Sequence, residues 1–268
     1  MLRLISSLRA QLSNWYVVAP IAWVIMRCPP RRFLSHTFLA KLRLTLKLRA
    51  GPCIHCRVDE FTAFVEVYAL RDYDIADLDW DKVKTIIDVG ANIGMATIWF
   101  AQRAKIAFIV AIEPAPQALS LLYSNISAAN LEGRVTVLPV AIGAVRGIGW
   151  LHEARVSAQT TVLVETSTDA TNLTVPVVPL GAVMNERRLA SVDVLKLDCE
   201  GAEFAILLSA GAELLRRIGA IIGEYHLTGS NDIRALTAHL EIHDFTVEVY
   251  PHPRESTLGR FIARKRLA

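Results

Sequence analysis

Residues 192–204, VDVLKLDCEGAEF, place Asp198, Glu200 and Glu203 within six residues at the end of a mostly apolar run. Carboxylates at a strand tip can orient a substrate or take its proton, provided that proton lies within hydrogen-bond reach. A second stretch, IIDVGANIGMATIWF, passes from a β-rich run through Asp88-Val89-Gly90-Ala91-Asn92-Ile93-Gly94 into helix-forming residues. A dinucleotide fold wants glycine where Asn92 stands, so that the backbone can approach a pyrophosphate, and Asp88 would repel one. An acid there suits a cationic group instead, and the helix amino terminus beyond Gly94 suits a carboxylate. Glu113 ends the next strand 25 residues after Asp88, where an acid can accept two hydrogen bonds from a ribose diol. A ligand with an ammonium, a carboxylate and an adenosine meets all three demands. His226 closes the set and reads equally as a base or as a core histidine satisfied by Glu224.

The elements that must position these residues follow from periodicity. Strands are expected at 85–89, 108–112, 135–140, 192–197 and 219–224, with helices after the first, second and fourth. Such alternation implies a doubly wound α/β sheet with right-handed crossovers, whose ligands sit at the carboxyl edge. Val192, Val194, Leu195 and Leu197 read as a strand buried on both faces, interrupted by Asp193 and Lys196. On an extended segment Asp198 and Glu200 would point to the same side. Glu203, inside the first helical turn, reads as a cap. Residues 143–179 lack helix signals and read as an antiparallel excursion. A helix over 231–243 and a strand pair at 245–250 and 259–264 complete the pattern.

The 268 residues are 53% apolar and 21% charged, which argues for a packed globule. The net charge of +3 hides an asymmetry: ten basic residues precede Asp59, the first acid, and 19 basic residues face 26 acidic ones from there on. We divide the chain into a basic extension, residues 1–58, and a catalytic domain, residues 59–268. Leu42, Leu44, Leu46 and Leu48 alternate with Lys41, Arg43, Lys47 and Arg49, a half-buried strand with a basic outer face that turns back into residues 53–58 as a hairpin. That face suits an anionic partner, either a membrane surface touched peripherally or a lipid-linked substrate; no nucleic acid partner is expected. Residues 2–28 suggest one or two amphipathic helices. The apolar run 15–26, broken by Pro20, is too short to span a bilayer. Four scattered cysteines favour a reducing, cytoplasmic setting, and Cys53-Ile-His-Cys56 has no second ligand pair, so no metal is expected there.

IDVGANIG, AIEPAP followed by NISAANL, VDVLKLDCEGAEF and IIGEYH, in this order, resemble the FkbM-type family of S-adenosylmethionine-dependent methyltransferases over residues 60–226. The resemblance implies a seven-stranded sheet with an antiparallel last strand and S-adenosylmethionine as donor. It also implies O-methylation of a hydroxyl on a sugar, glycan, polyketide or other polar natural product. By matching motifs, Asp88, Gly90, Asn92 and Gly94 would surround the methionine end, Glu113 the ribose, and Ala141 the adenine. Asp198, Glu200 and His226 are the candidate catalytic groups. Two other readings stay open. A nicotinamide-dependent oxidoreductase is disfavoured by Asn92 and Asp88, and a non-catalytic binding module with a basic arm is disfavoured by acids at three strand ends.

Overall fold

A computed structural model describes residues 2–15, 18, 19, 42–153, 160–163, 173–253 and 255–266. Seven strands form the main sheet: β3 (Thr85–Val89), β4 (Phe108–Ile112), β5 (Val135–Leu138), β10 (Val192–Leu197), β11 (Ile218–His226), β12 (Phe245–Pro251) and β13 (Leu258–Lys265). Their order is β12-β13-β11-β10-β3-β4-β5. The five strands from β11 to β5 run parallel, and β13 lies antiparallel to both β11 and β12. This is the seven-stranded, doubly wound sheet with an antiparallel last strand in chain order.

Alternate residues of the central strands feed two separate cores. Ile86, Ile109, Ala111, Val194 and Ile222 pack on one face, together with helices α2 (Met95–Arg103) and α3 (Pro116–Ala128). Ile87, Val110, Ile112, Leu195 and Ile221 pack on the other, together with α4 (Leu180–Glu186), α5 (Glu203–Leu208), α6 (Ala212–Arg216) and α7 (Ile233–Ile242). Burial on both faces is why these strands read as continuous apolar runs. The two polar residues in β10 both have partners across the sheet. Asp193 accepts hydrogen bonds from the backbone N–H groups of Lys84 (2.7 Å) and Thr85 (2.9 Å), fixing the start of β3 against β10. Lys196 serves the other end of the strand, as described below.

The described parts of the extension join the first core. Helix α1 (Leu2–Gln11) buries Leu8, and the hairpin β1 (Arg43–Lys47) and β2 (Cys53–Arg57) buries Leu46 and Ile54. Arg43, Lys47 and Arg49 are exposed, as the alternation predicts. Lys41 and most of the apolar run 15–26 lie outside the described residues. Among those described, no helix is long and apolar enough to cross a membrane. Asn125, fully buried in α3, ties the hairpin to the domain. Its amide donates to the carbonyls of His55 (2.9 Å) and Ile93 (2.8 Å), and its oxygen accepts from His55 N–H (2.7 Å).

Residues 58–70 form a mixed segment whose turns change from 3-10 to α to π. Two expectations need correction. The strand expected over 135–140 stops at Leu138, and Ala141 opens β6 (Ala141–Gly143) in a second sheet. That sheet, with β7 (Gly147–Glu153), β8 (Thr160–Leu163) and β9 (Leu173–Pro179), has the order β6-β9-β7-β8. It is not wholly antiparallel, because β6 and β9 run parallel.

Candidate active site

The turn after β3 is forced by its neighbours. Gly90 has φ +74°, and a Cβ there would lie 1.7 Å from the Asp198 carbonyl oxygen, so the loop leaving β10 passes directly over it. Only glycine permits both the left-handed backbone and this approach. Asn92 is also left-handed, with φ +48°, a conformation that asparagine tolerates better than most residues. This is how a side chain stands where a dinucleotide turn has glycine. Gly94, at φ +89°, is the N-cap of α2.

Glu113, one residue beyond β4, is 6% exposed. Its two carboxylate oxygens accept hydrogen bonds from the backbone N–H groups of Asn92 and Ala115, both at 2.8 Å. One acid therefore fixes the glycine turn against the next strand tip. Burial raises its pKa, opposed by those two hydrogen bonds. Each oxygen keeps a second lone pair.

Asp88 corrects the expectation that it meets a ligand's ammonium. It is fully buried and is not among the residues around the cleft. Thr97 Oγ1 donates to its Oδ2 at 2.6 Å, and Lys196 Nζ lies 3.1 Å from Oδ1, at ion-pair distance but outside hydrogen-bond alignment. The ammonium that Asp88 attracts is thus the protein's own. Lys196 donates in turn to the carbonyls of Gly90 (2.7 Å) and Val89 (3.2 Å). Burial opposes its charge, but Asp88 and Asp198 more than offset that and raise its pKa.

The loop after β10 carries the remaining acids. Asp198 Oδ2 accepts a hydrogen bond from the buried Tyr73 hydroxyl at 2.9 Å and lies 3.7 Å from Lys196 Nζ. Glu200 is left-handed, with φ +54°, so the segment is not extended and the rule that placed Asp198 and Glu200 on one side does not apply. Both nevertheless line the cleft. Glu203, fully buried, accepts from the N–H groups of Cys199 (2.9 Å) and Gly201 (3.0 Å), holding this turn as Glu113 holds the other. His226 is satisfied by different acids than expected: its Nδ1 lies 3.3 Å from Glu203 Oε1 and its Nε2 lies 3.3 Å from Glu200 Oε2. Burial disfavours the imidazolium, but Glu203 and then Glu200 outweigh it and raise the pKa to about 9.

Gly90, Asn92, Glu113, Ala141, Asp198 and Glu200 share one cleft of about 650 Å³, counted with the space open to solvent. Asp88, Gly94 and His226 stand behind its walls. The sequence reading missed Tyr73 and the use of Lys196. A lysine within a buried strand was the available signal for the second, whereas Tyr73 lies in a loop with no periodicity to mark it.

The strand order, the glycine turn and the acids at the carboxyl edge define a methyltransferase of Rossmann-like fold. The Methyltransferase FkbM domain matches residues 88–248, and the chain belongs to that family. A relative called Methyltransferase 1, from Beauveria bassiana, is 25% identical over 69% of this chain and 80% of its own length. Among solved structures, a Methanococcus jannaschii fibrillarin, a pre-rRNA processing protein, is similar at TM-score 0.48 and 12% identity, covering 83% of this chain and 82% of its own. Aeropyrum pernix fibrillarin with bound S-adenosyl-L-methionine gives TM-score 0.45 and 13% identity over 73% and 72%. At these scores the structural likeness adds nothing to what the strand order defines.

Proposed function

We propose that this chain transfers a methyl group from S-adenosylmethionine to a hydroxyl of a sugar, glycan or other polar natural product. The observation that carries this reading is that one cleft joins Glu113, a buried acid held by two backbone N–H groups, to Asp198 and Glu200 on the adjacent loop. The donor, when bound, supplies a methyl group already activated on a sulfonium, so the protein must chiefly align and dry the reactants. Glu113 accepts hydrogen bonds from the ribose diol through its remaining lone pairs. The backbone of Gly90 and Asn92 flanks the methionine end, and Ala141 lies beside the adenine. Asp88 contributes indirectly, by holding Lys196 on the carbonyls of the glycine turn.

A hydroxyl attacks poorly unless its proton leaves as the new bond forms, which requires a base at the acceptor oxygen. Asp198 and Glu200 line the cleft, and Asp198 sits at the strand tip beside the Gly90 turn. His226 lies off the cleft with both ring nitrogens facing carboxylates, so its part is to position Glu200. The exposed basic residues Arg43, Lys47 and Arg49 would draw the protein to an anionic membrane or a lipid-linked acceptor, which co-sedimentation with anionic vesicles across a salt series tests.

The chemistry is tested by incubating the full chain with a donor carrying a deuterated methyl group and a panel of glycans and polyketides. The expected product carries the label on oxygen. Label on nitrogen or carbon instead, or no transfer to any hydroxyl acceptor by a chain that binds the donor, would contradict the proposal.

A further inference from the structure

The register of β10 and β11 places a second kind of chemistry at the rim. Leu197 pairs with Gly223, so the residues that follow, Asp198 and Glu224, stand side by side, and Glu224 and His226 share one face of β11. One ligand atom from each of Asp198, Glu224 and His226 lies within 4.8 Å of the other two. We propose that these three side chains form a divalent-cation site beside the cleft, reaching it through Asp198.

Three observations beyond proximity support this. Glu224 is half-buried, receives no hydrogen bond from any described side chain or backbone group, and feels the like charges of Asp198 and Glu66. A carboxylate partly withdrawn from water beside like charges is costly, and a cation relieves that cost. Secondly, fully buried Glu203 engages His226 Nδ1, which leaves Nε2 as the nitrogen for an ion. A carboxylate on the far ring nitrogen is the usual support of a metal-bound imidazole. Thirdly, the local charges do not balance. Lys196 is shared between Asp88 and Asp198, so these two acids together with Glu203 and Glu224 outnumber the Lys196 ammonium and the His226 imidazole. Binding a divalent ion at Nε2 releases at most one proton to solvent and so adds net positive charge. Glu200 Oε2, 3.3 Å from Nε2, is placed to join as a further oxygen ligand.

Two or three carboxylates with one imidazole suit a cation of intermediate hardness such as manganese(II). Its use in the reaction, holding the acceptor oxygen and lowering its pKa, rests on the methyl-transfer reading; its binding does not.

The test uses the full, untagged chain, stripped with chelator and titrated with manganese(II) alone while electron paramagnetic resonance reports the free ion. Manganese(II) is chosen because it has little affinity for the chain's thiols. One bound ion per chain is expected, with affinity lowered roughly tenfold or more in Glu224→Gln and in Asp198→Asn. Glu113→Gln, on the opposite side of the cleft, should retain the ion. Circular dichroism establishes that each chain is folded, and the partly exposed Asp198 supplies a variant should Glu224→Gln fail to fold. A folded wild-type chain that retains no manganese, or equal retention by wild type and Asp198→Asn, overturns the proposal. Since neither donor nor acceptor is present, this outcome is independent of whether methyl transfer occurs.

Discussion

Lys196 Nζ lies 3.1 Å from Asp88 Oδ1 and 2.7 Å from the carbonyl oxygen of Gly90, so one buried ammonium joins the strand acid to the turn that follows it. Removing one partner of a buried pair strands the other charge. Lys196→Met should therefore lower stability by about 3–5 kcal/mol. Adding Asp88→Asn, which removes the stranded charge while an amide can still receive the Thr97 hydroxyl, should restore part of it. Urea denaturation of the single and double variants measures both. A single variant as stable as wild type would show that the pair does not hold the turn.

Gly90→Ala probes the same turn by bulk. A Cβ 1.7 Å from the Asp198 carbonyl must push the two loops apart, at a cost of at least about 1–3 kcal/mol on top of the backbone strain at φ +74°. Gly133→Ala is the control, because nothing lies within 4 Å of the new methyl group. Equal melting temperatures for the two variants would refute the close approach.

Much of this was legible because it follows from period and chain order. The five central strands, the helices between them and the final strand pair fall where burial on both faces and glycine turns predict them. Glu113, Asp198 and Glu200 were singled out as acids at strand ends and Asn92 as a side chain where a dinucleotide turn has glycine, and the structure brings all four around one cleft. What stayed hidden depends on contacts distant in sequence. Asp88 looked free to meet a ligand because nothing in its neighbourhood shows that Lys196, 108 residues later, reaches it. His226 was assigned to Glu224, two residues away on its own strand, whereas Glu203 and Glu200 reach it from the preceding loop. The extended rule failed at Glu200 because a positive φ outside glycine leaves no mark in the sequence.

The cysteines give a prediction independent of catalysis. Cys53 and Cys56 stand three apart on β2, so their side chains leave opposite faces of the strand and do not form a ligand pair. Cys56 is buried, and burial followed by the charges of Glu60 and Asp59 pushes its thiol up to about 12; Cys199 is raised as well, again by burial first. Because the thiolate is the reactive form, iodoacetamide at pH 8 should label half-exposed Cys53 well before Cys56 or Cys199 in the folded chain. Mass spectrometry of timed digests reads the order, and prompt labelling of Cys56 would contradict it.

Asp198→Asn separates chemistry from binding. As a base or acceptor-orienting group, Asp198 should lower turnover by about 10²–10⁴ when replaced by its amide, with donor affinity and melting temperature nearly unchanged. Tyr73→Phe, which removes only the hydroxyl bonded to Asp198, should have a smaller effect in the same direction. Full turnover in Asp198→Asn would remove it from the reaction.

The central claim is that the cleft between the β3 turn, Glu113 and the β10 loop holds the methyl donor, and calorimetric titration of the full chain with S-adenosylhomocysteine and NAD tests it most directly. The account predicts micromolar or tighter binding of S-adenosylhomocysteine, on the order of 8 kcal/mol, and none of NAD. It further predicts a loss of roughly 1.5–3 kcal/mol in Glu113→Ala, which removes the charged partner of the ribose. Binding of NAD in preference, or S-adenosylhomocysteine affinity that is unchanged in a folded Glu113→Ala chain, would contradict it.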